Sequence, residues 1–261
     1  MADISRRARR TSLRMPPQRA VLAFDAEGFS RTSSRHQRLL NTTVRDVLAE
    51  AFQRCDLADL WRNCSFPQHT GDGYVVGVHS EYLPLLVHPL MDELQGVLVD
   101  AQPHLAFEDR DLRLRLRAAV GLGPLPDSGG AEPGDGVGTA MTETHRLLDA
   151  APLKEALAAA DPELTLLVVG LTGRAHEDAV LGGYTALPPR AFHEIEVSHP
   201  AKGYRAVGHL YVPRPSTRPG HAAPEPVGRA RARHGDTAPG AQGPGPRPAP
   251  GTVVFEAVHD V

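Results

Sequence analysis

Ala20–Phe24, AVLAF, is a nearly unbroken apolar run, and Asp25, Ala26, Glu27, Gly28 and Phe29 follow it at once. Five residues are too few for a helix; such a run suits a strand buried in the middle of a sheet. Two acids at the tip of a buried strand call for a chemical reason. The rest of the chain decides whether there is one.

Downstream, the pattern alternates between helix and strand. Leu39, Leu40, Val44, Val47, Leu48, Ala51, Phe52 and Cys55 recur at spacings of three and four, which predicts an amphipathic helix over 34–56. Tyr74–Val78 reads as a second strand, entered through a tight turn at Gly71 and Asp72. A helix is expected over 82–100, with Pro89 as an irregularity. Leu112–Gly123 alternates strictly: Leu112, Leu114, Leu116, Ala118 and Val120 on one side, and Arg113, Arg115 and Arg117 on the other, where solvent is expected. A Gly/Pro-rich loop follows. Then come a helix over 142–148, a second one capped by Asp149 with Pro152 in its first turn, and a buried strand over 164–170. His193–Val197 and Tyr204–Val212 read as a closing hairpin. Strands separated by helices predict an α+β fold, a mixed sheet with helices packed on one face.

The flanks differ in texture. Residues 1–18 form an Arg-rich arm, read as disordered; its twin arginines lack the apolar core of an export signal. The globular domain spans 19–213. Residues 214–261 are Pro/Gly-rich, read as a disordered tail and a candidate contact segment for a protein partner, and end in an apolar TVVFEAVHDV that could add a strand in cis or to that partner. A net charge of −3 gives no general attraction to nucleic acid or to a membrane surface, and no apolar run approaches the ~20 residues of a membrane span. Cys55 and Cys64 are expected to be reduced thiols of a cytoplasmic protein.

Asp25 and Asp72, each at a strand end, meet in space if their strands are neighbours. Two hard carboxylates suit Mg²⁺ or Mn²⁺ bound together with substrate phosphates. Without a cation they would repel. Gly28 and Gly71 keep bulk away, and the amides of the Gly28–Phe29 turn can donate to phosphate oxygens. Glu27 is expected to face solvent.

Four blocks in order, AFDAEGFS, TGDGYVV, LRLRAAVGLG and DGVGTAMTETHRLL, resemble the class III nucleotidyl (adenylate/guanylate) cyclase catalytic domain. That family's patterns are F-x-D-I-x-G-F-[ST], a G-D-x hairpin turn, LRVRIGIHTG and D-x-x-G-x-x-V-N-x-A-x-R-[LM]. The resemblance covers roughly Arg19 to Val212, with this chain as a divergent member. It implies a ferredoxin-like sheet and two metal ions held by Asp25, Asp72 and the Ala26 carbonyl. It further implies conversion of a nucleoside triphosphate to a 3′,5′-cyclic nucleotide and pyrophosphate, at a site shared by a head-to-tail homodimer. By the same resemblance Arg146 is the transition-state arginine, Asp135 and Gln68 read the base, and Lys202, helped by Arg205, meets the terminal phosphates. Thr142 stands where the family has a ribose-holding Asn, Gln68 where adenylate cyclases often have Lys, and Glu143, Thr144 and His145 replace small residues. These departures leave two readings: a working cyclase, or a cyclase-like module that binds a nucleotide or a partner without turnover. A third, a two-metal exonuclease of the ribonuclease H type, rests on the Asp25-x-Glu27 spacing alone and leaves the Asp72 turn without a role.

Overall fold

A computed structural model gives the structure of residues 12–69 and 71–217, and every statement below concerns those residues. The expected disorder of the arm and tail, and the terminal apolar segment, fall on residues 1–11 and 218–261, outside the described residues. The part of the tail that is described stays attached to the domain. The Arg214 carbonyl accepts from Thr165 Oγ1 at 2.5 Å, and Ser216 Oγ accepts from the Asp161 amide at 3.0 Å.

Strand β1 (Gln18–Ala26) is followed by helix α1 (Ser34–Arg54), which Ser33 caps by accepting from the His36 amide. A short helix α2 (Ala58–Arg62) leads to the hairpin of β2 (Ser65–His69) and β3 (Gly73–His79). Helices α3 (Leu83–Val87) and α4 (Leu90–Glu108) precede β4 (Leu116–Pro124). Then come α5 (Thr139–Leu148), α6 (Ala151–Ala159), β5 (Leu167–Thr172), α7 (Gly173–His176), β6 (His193–His199) and β7 (Tyr204–Tyr211). The sheet order is β2-β3-β1-β4-β5-β7-β6, and only β4 and β5 run parallel. The β1-α1-β2-β3-α4-β4 unit, with β1 antiparallel to both β3 and β4, is the ferredoxin-like core expected from the sequence.

Every residue from Ala20 to Phe24 is buried, because β1 is paired on both sides and covered on both faces. Ala20, Leu22 and Phe24 join the core formed with α1, α3 and α4. Val21 and Ala23 face a second, smaller core built by α5 and α6. Helices thus cover the expected face, and two shorter ones cover the other as well. Helix α5 can lie close to the sheet because β4 presents glycines beneath it. A Cβ on Gly121 would collide with Thr144 Oγ1, and one on Gly123 would come within 2.7 Å of Ala140 Cβ.

Several boundaries differ from the sequence reading, each for a local reason. The helix expected over 82–100 is two helices, since a residue before proline disfavours the α region and His88 is extended. Helix α4 runs on to Glu108, with Leu105 buried in the core. Strand β2 gave no signal because Pro67 interrupts it, as an edge strand permits. Asp149 does not cap α6; Ala150 holds the N-cap position, and Asp149 accepts from Lys154 Nζ at 3.3 Å. Strand β4 begins only at Leu116. The expected solvent-facing arginine row fails in the middle: Arg115 is 6% exposed. Its guanidinium donates to Glu27 Oε2 at 2.7 Å, to the Thr165 carbonyl at 3.1 Å and to the Leu157 carbonyl at 2.5 Å. Glu27 therefore faces a buried arginine rather than solvent. Both cysteines are free and half-buried, and burial pushes the Cys55 thiol up to about 11.

His176 and His209 stack face to face with ring centroids 3.6 Å apart, bordered by Phe192. Burial lowers both pKa values; the neighbouring ring lowers His176 further, and Glu194 partly opposes the shift at His209.

Three outcomes follow for stability. Gly121→Val is expected to destabilise by about 1–3 kcal/mol, seen as a lower denaturation midpoint at unchanged slope. Gly96→Ala, with open space where its Cβ would go, should stabilise by about 0.5–1 kcal/mol. Both histidines fold with pKa values below their unfolded ones, so the stability they sustain is complete above pH ~6.5 and is lost as pH falls through the depressed folded values. His176→Phe keeps a ring in the stack and should flatten the acid side of a melting-temperature profile; an unchanged profile would contradict the assignment.

Candidate functional site

The pairing of β1 brings the acids together. Asp25 lies between Gly73 on β3 and Arg117 on β4, its direct cross-strand partners. Asp72 immediately precedes β3, and its carbonyl accepts the Ala26 amide at 2.9 Å. Asn41 of α1 donates to the Gly71 carbonyl at 2.5 Å and so pins the turn that carries Asp72. On the other side Gly28 adopts φ 71°, a left-handed conformation that reverses the chain into Phe29–Arg31. The Glu27 amide donates to the Arg115 carbonyl at 2.9 Å, so the Arg115–Glu27 contact holds this turn by both backbone and side chain.

A cleft of about 380 Å³ opens here, lined by Asp25, Ala26, Gly28, Phe29, Ser30 and Asp72, with Arg117 and the end of α5, His145, Leu148 and Asp149, on its far wall. A larger hollow of about 470 Å³ beside Gln18 and Arg174 contains none of the residues singled out from the sequence. In the smaller cleft, Arg117 pairs with Asp25 through Nη2 and Oδ2. Burial lowers the Arg117 pKa, and the nearby Asp149 opposes that shift. Three carboxylates and one guanidinium leave the cleft net negative, so a polyphosphate could enter only with cations. Two carboxylates, a main-chain carbonyl and room for water match the donor set Mg²⁺ or Mn²⁺ takes, all oxygen and few protein ligands. Any such cation competes with Arg117 for Asp25.

The other residues singled out from the sequence do not line this cleft. Thr142 is exposed on α5, its hydroxyl donating to the Gly138 carbonyl at 3.2 Å. Arg146, one turn on, lies over the Tyr204 ring, 4.2 Å from Cζ to centroid. Asp135 organises its own loop, accepting from the Ser128 amide at 2.9 Å, Ser128 Oγ at 2.8 Å and the Gly130 amide at 2.9 Å, which holds its pKa below the usual range. Three acceptances leave one of about four lone-pair positions on the carboxylate. Gln68 is exposed on edge strand β2 opposite Val75, on the sheet face that carries α5. Lys202 is exposed in the turn between β6 and β7. Sequence reasoning missed Arg117, His145 and Asp149 as cleft residues. Arg117 was read as part of a solvent-facing row, and only the β1–β4 register sets it opposite Asp25.

No protein-family model matches the chain, and no curated protein matches it in sequence. Solved structures do match. An adenylate/guanylate cyclase/hydrolase from Silicibacter pomeroyi is 17% identical, over 75% of this chain and 96% of that one, with a TM-score of 0.49. Adenylate cyclases from Trypanosoma brucei, analysed in their monomeric state, are 11% identical over 82% and 95%, with a TM-score of 0.49. The guanylate cyclase domain of RhGC from Catenaria anguillulae, in complex with GTP, is 12% identical over 79% and 100%, with a TM-score of 0.42. These neighbours are nucleotidyl cyclase structures. At such identities the likeness concerns the fold, and what the cleft does has to be argued from its own residues.

Arg117→Met would leave Asp25 without its guanidinium partner. We expect a loss of about 1–2 kcal/mol, moderated because both partners keep some contact with water. Millimolar Mn²⁺ should then raise the melting temperature of Arg117→Met more than that of the parent. Equal shifts in the two proteins would contradict competition for Asp25.

Proposed function

We propose that the chain is a nucleotidyl cyclase: it converts a nucleoside triphosphate to a 3′,5′-cyclic nucleotide and pyrophosphate, with divalent cations, at a site completed by a second copy. One observation carries this reading. The cleft gathers Asp25, Ala26 and Asp72, whereas Thr142 and Arg146 of the same chain are not among its lining residues. On this reading one copy would supply the cation-holding half and, elsewhere, the half that reaches phosphate and ribose. Two copies placed head to tail would join unlike halves.

Asp25, Asp72 and the Ala26 carbonyl would hold Mg²⁺ or Mn²⁺. When bound, the cations supply charge neutralisation of the phosphates and acidify the ribose 3′-hydroxyl. The Gly28–Phe29–Ser30 turn offers backbone amides to phosphate oxygens. Arg146 of the second copy meets the charge that develops as the bond to pyrophosphate breaks. Thr142 offers a hydroxyl to the ribose, Gln68 and the remaining lone pair of Asp135 offer hydrogen bonds to the base, and Lys202 offers charge to the terminal phosphates. Phosphoryl transfer depends on this kind of positioning and charge, with little covalent work for the protein.

A second reading has its own observations. Thr142 directs its hydroxyl back to its own helix, and Arg117 holds Asp25. A cyclase-like module that binds a triphosphate without turning it over accounts for both. The exonuclease reading loses support, because Glu27 pairs with buried Arg115.

Purified protein incubated with Mn²⁺ and each of the four nucleoside triphosphates should give a cyclic product with at least one, identified by mass spectrometry. Asp25→Ala and Asp72→Ala should each lower the rate about 10³-fold or more, and an equal mixture of Asp25→Ala with Arg146→Ala should recover part of it. Triphosphate binding with no cyclic product from any of the four would establish the non-catalytic module instead.

A further inference from the structure

Arg146 belongs to the fourth of the blocks that resemble a cyclase, whereas Tyr204, which it contacts, lies outside all four and outside the cleft. Arg146 leaves the last turn of α5, and its guanidinium lies over Tyr204 with Cζ 4.2 Å from the ring centroid. Its main-chain carbonyl is bonded to His199 Nε2 at 2.8 Å. His199 ends β6, Tyr204 begins β7, and the two are direct cross-strand partners with rings 6.2 Å apart. Arg146 Nε is fully buried and has no hydrogen-bond partner among the described residues. One hairpin end therefore holds this arginine twice, by its backbone and by its charged face. An exposed arginine on a helix would sample many rotamers. Here a ring quadrupole attracts the cation and the ring surface restricts its swing.

We propose that Tyr204 and His199 are positioning residues for Arg146. The β6–β7 hairpin seats the guanidinium in a fixed direction, so that it reaches the cleft of a second copy already oriented. The proposal rests on the two-copy cyclase reading and adds to it a specific support that touches no substrate. His199 fixes the level of the α5 backbone at Arg146, and Tyr204 fixes the direction of the side chain. A misplacement of about 1 Å at a group of this kind can cost about 10²-fold in rate.

The test combines kinetics with a readout that does not need turnover. In ¹H–¹⁵N spectra, the Arg146 Nε–H, assigned by its loss in Arg146→Lys, should be slow to exchange and displaced by the Tyr204 ring current. Tyr204→Leu should abolish that displacement and lower kcat about 10- to 100-fold, with KM changed less than about threefold. Tyr204→Phe keeps the ring face and should retain both the displacement and most of kcat. His199→Ala should reduce kcat by a smaller factor, and the melting temperature of each variant separates misfolding from mispositioning. An Arg146 Nε–H with ordinary shift and fast exchange in the parent would overturn the proposal outright. So would an active, folded Tyr204→Leu with unchanged kcat, and that result would leave the cyclase reading standing. A parent that makes no cyclic product defeats the cyclase reading and the proposal with it.

Discussion

Strand β1 has no free edge. Its backbone is bonded to β3 on one side and β4 on the other over nearly its whole length, in a register that cannot slip by one residue without turning Leu22 and Phe24 into the wrong core. That register puts Asp25 opposite Arg117 and beside the turn that carries Asp72. The two acids are neighbours because the end of β1 pairs with the start of β3, the residue after Asp72. The cleft is thus a consequence of the sheet's centre, and the features around it serve to keep its rim in place. Asn41 ties down the Asp72 turn from α1, and Arg115 ties down the Glu27–Gly28 turn from the start of β4.

The second half of the proposed site depends on a different constraint. Helix α5 reaches the sheet only because β4 offers Gly121 and Gly123 where side chains would otherwise stand. Close seating of α5 places His145 and Asp149 against the cleft and sends Arg146 toward β7, where Tyr204 receives it. A single helix thereby closes one copy's cleft and presents its arginine elsewhere. The alternation of the α5 side chains, fixed by 3.6 residues per turn, is what separates the two tasks.

Much of this was legible in the sequence, for identifiable reasons. The continuous run Ala20–Phe24, the spacing of α1 and the alternation through β4 are strong periodic signals, and they gave the central strand, an amphipathic helix and a further strand. Asp25 and Asp72 were legible as a pair because both follow from strand ends. Pairwise chemistry across strands was not legible. The Arg113–Arg117 alternation looks like a solvated face in one dimension, and only the third dimension makes Arg115 a buried brace and Arg117 the partner of Asp25. Helices α5 and α6 were expected as elements, but nothing in their periodicity says which sheet face they cover. The seat of Arg146 on Tyr204 joins residues nearly sixty positions apart through a hairpin pairing, and no local pattern carries that information.

The account therefore turns on whether Asp25 and Asp72 share a divalent cation in place of the guanidinium of Arg117. Crystals grown with Mn²⁺ and a non-hydrolysable nucleoside triphosphate, measured at the manganese absorption edge, address this directly. An anomalous peak within ligand distance of both carboxylates, with Arg117 moved off Asp25, is the predicted result. Bound triphosphate with no peak between those two side chains, and Arg117 still on Asp25, would contradict it.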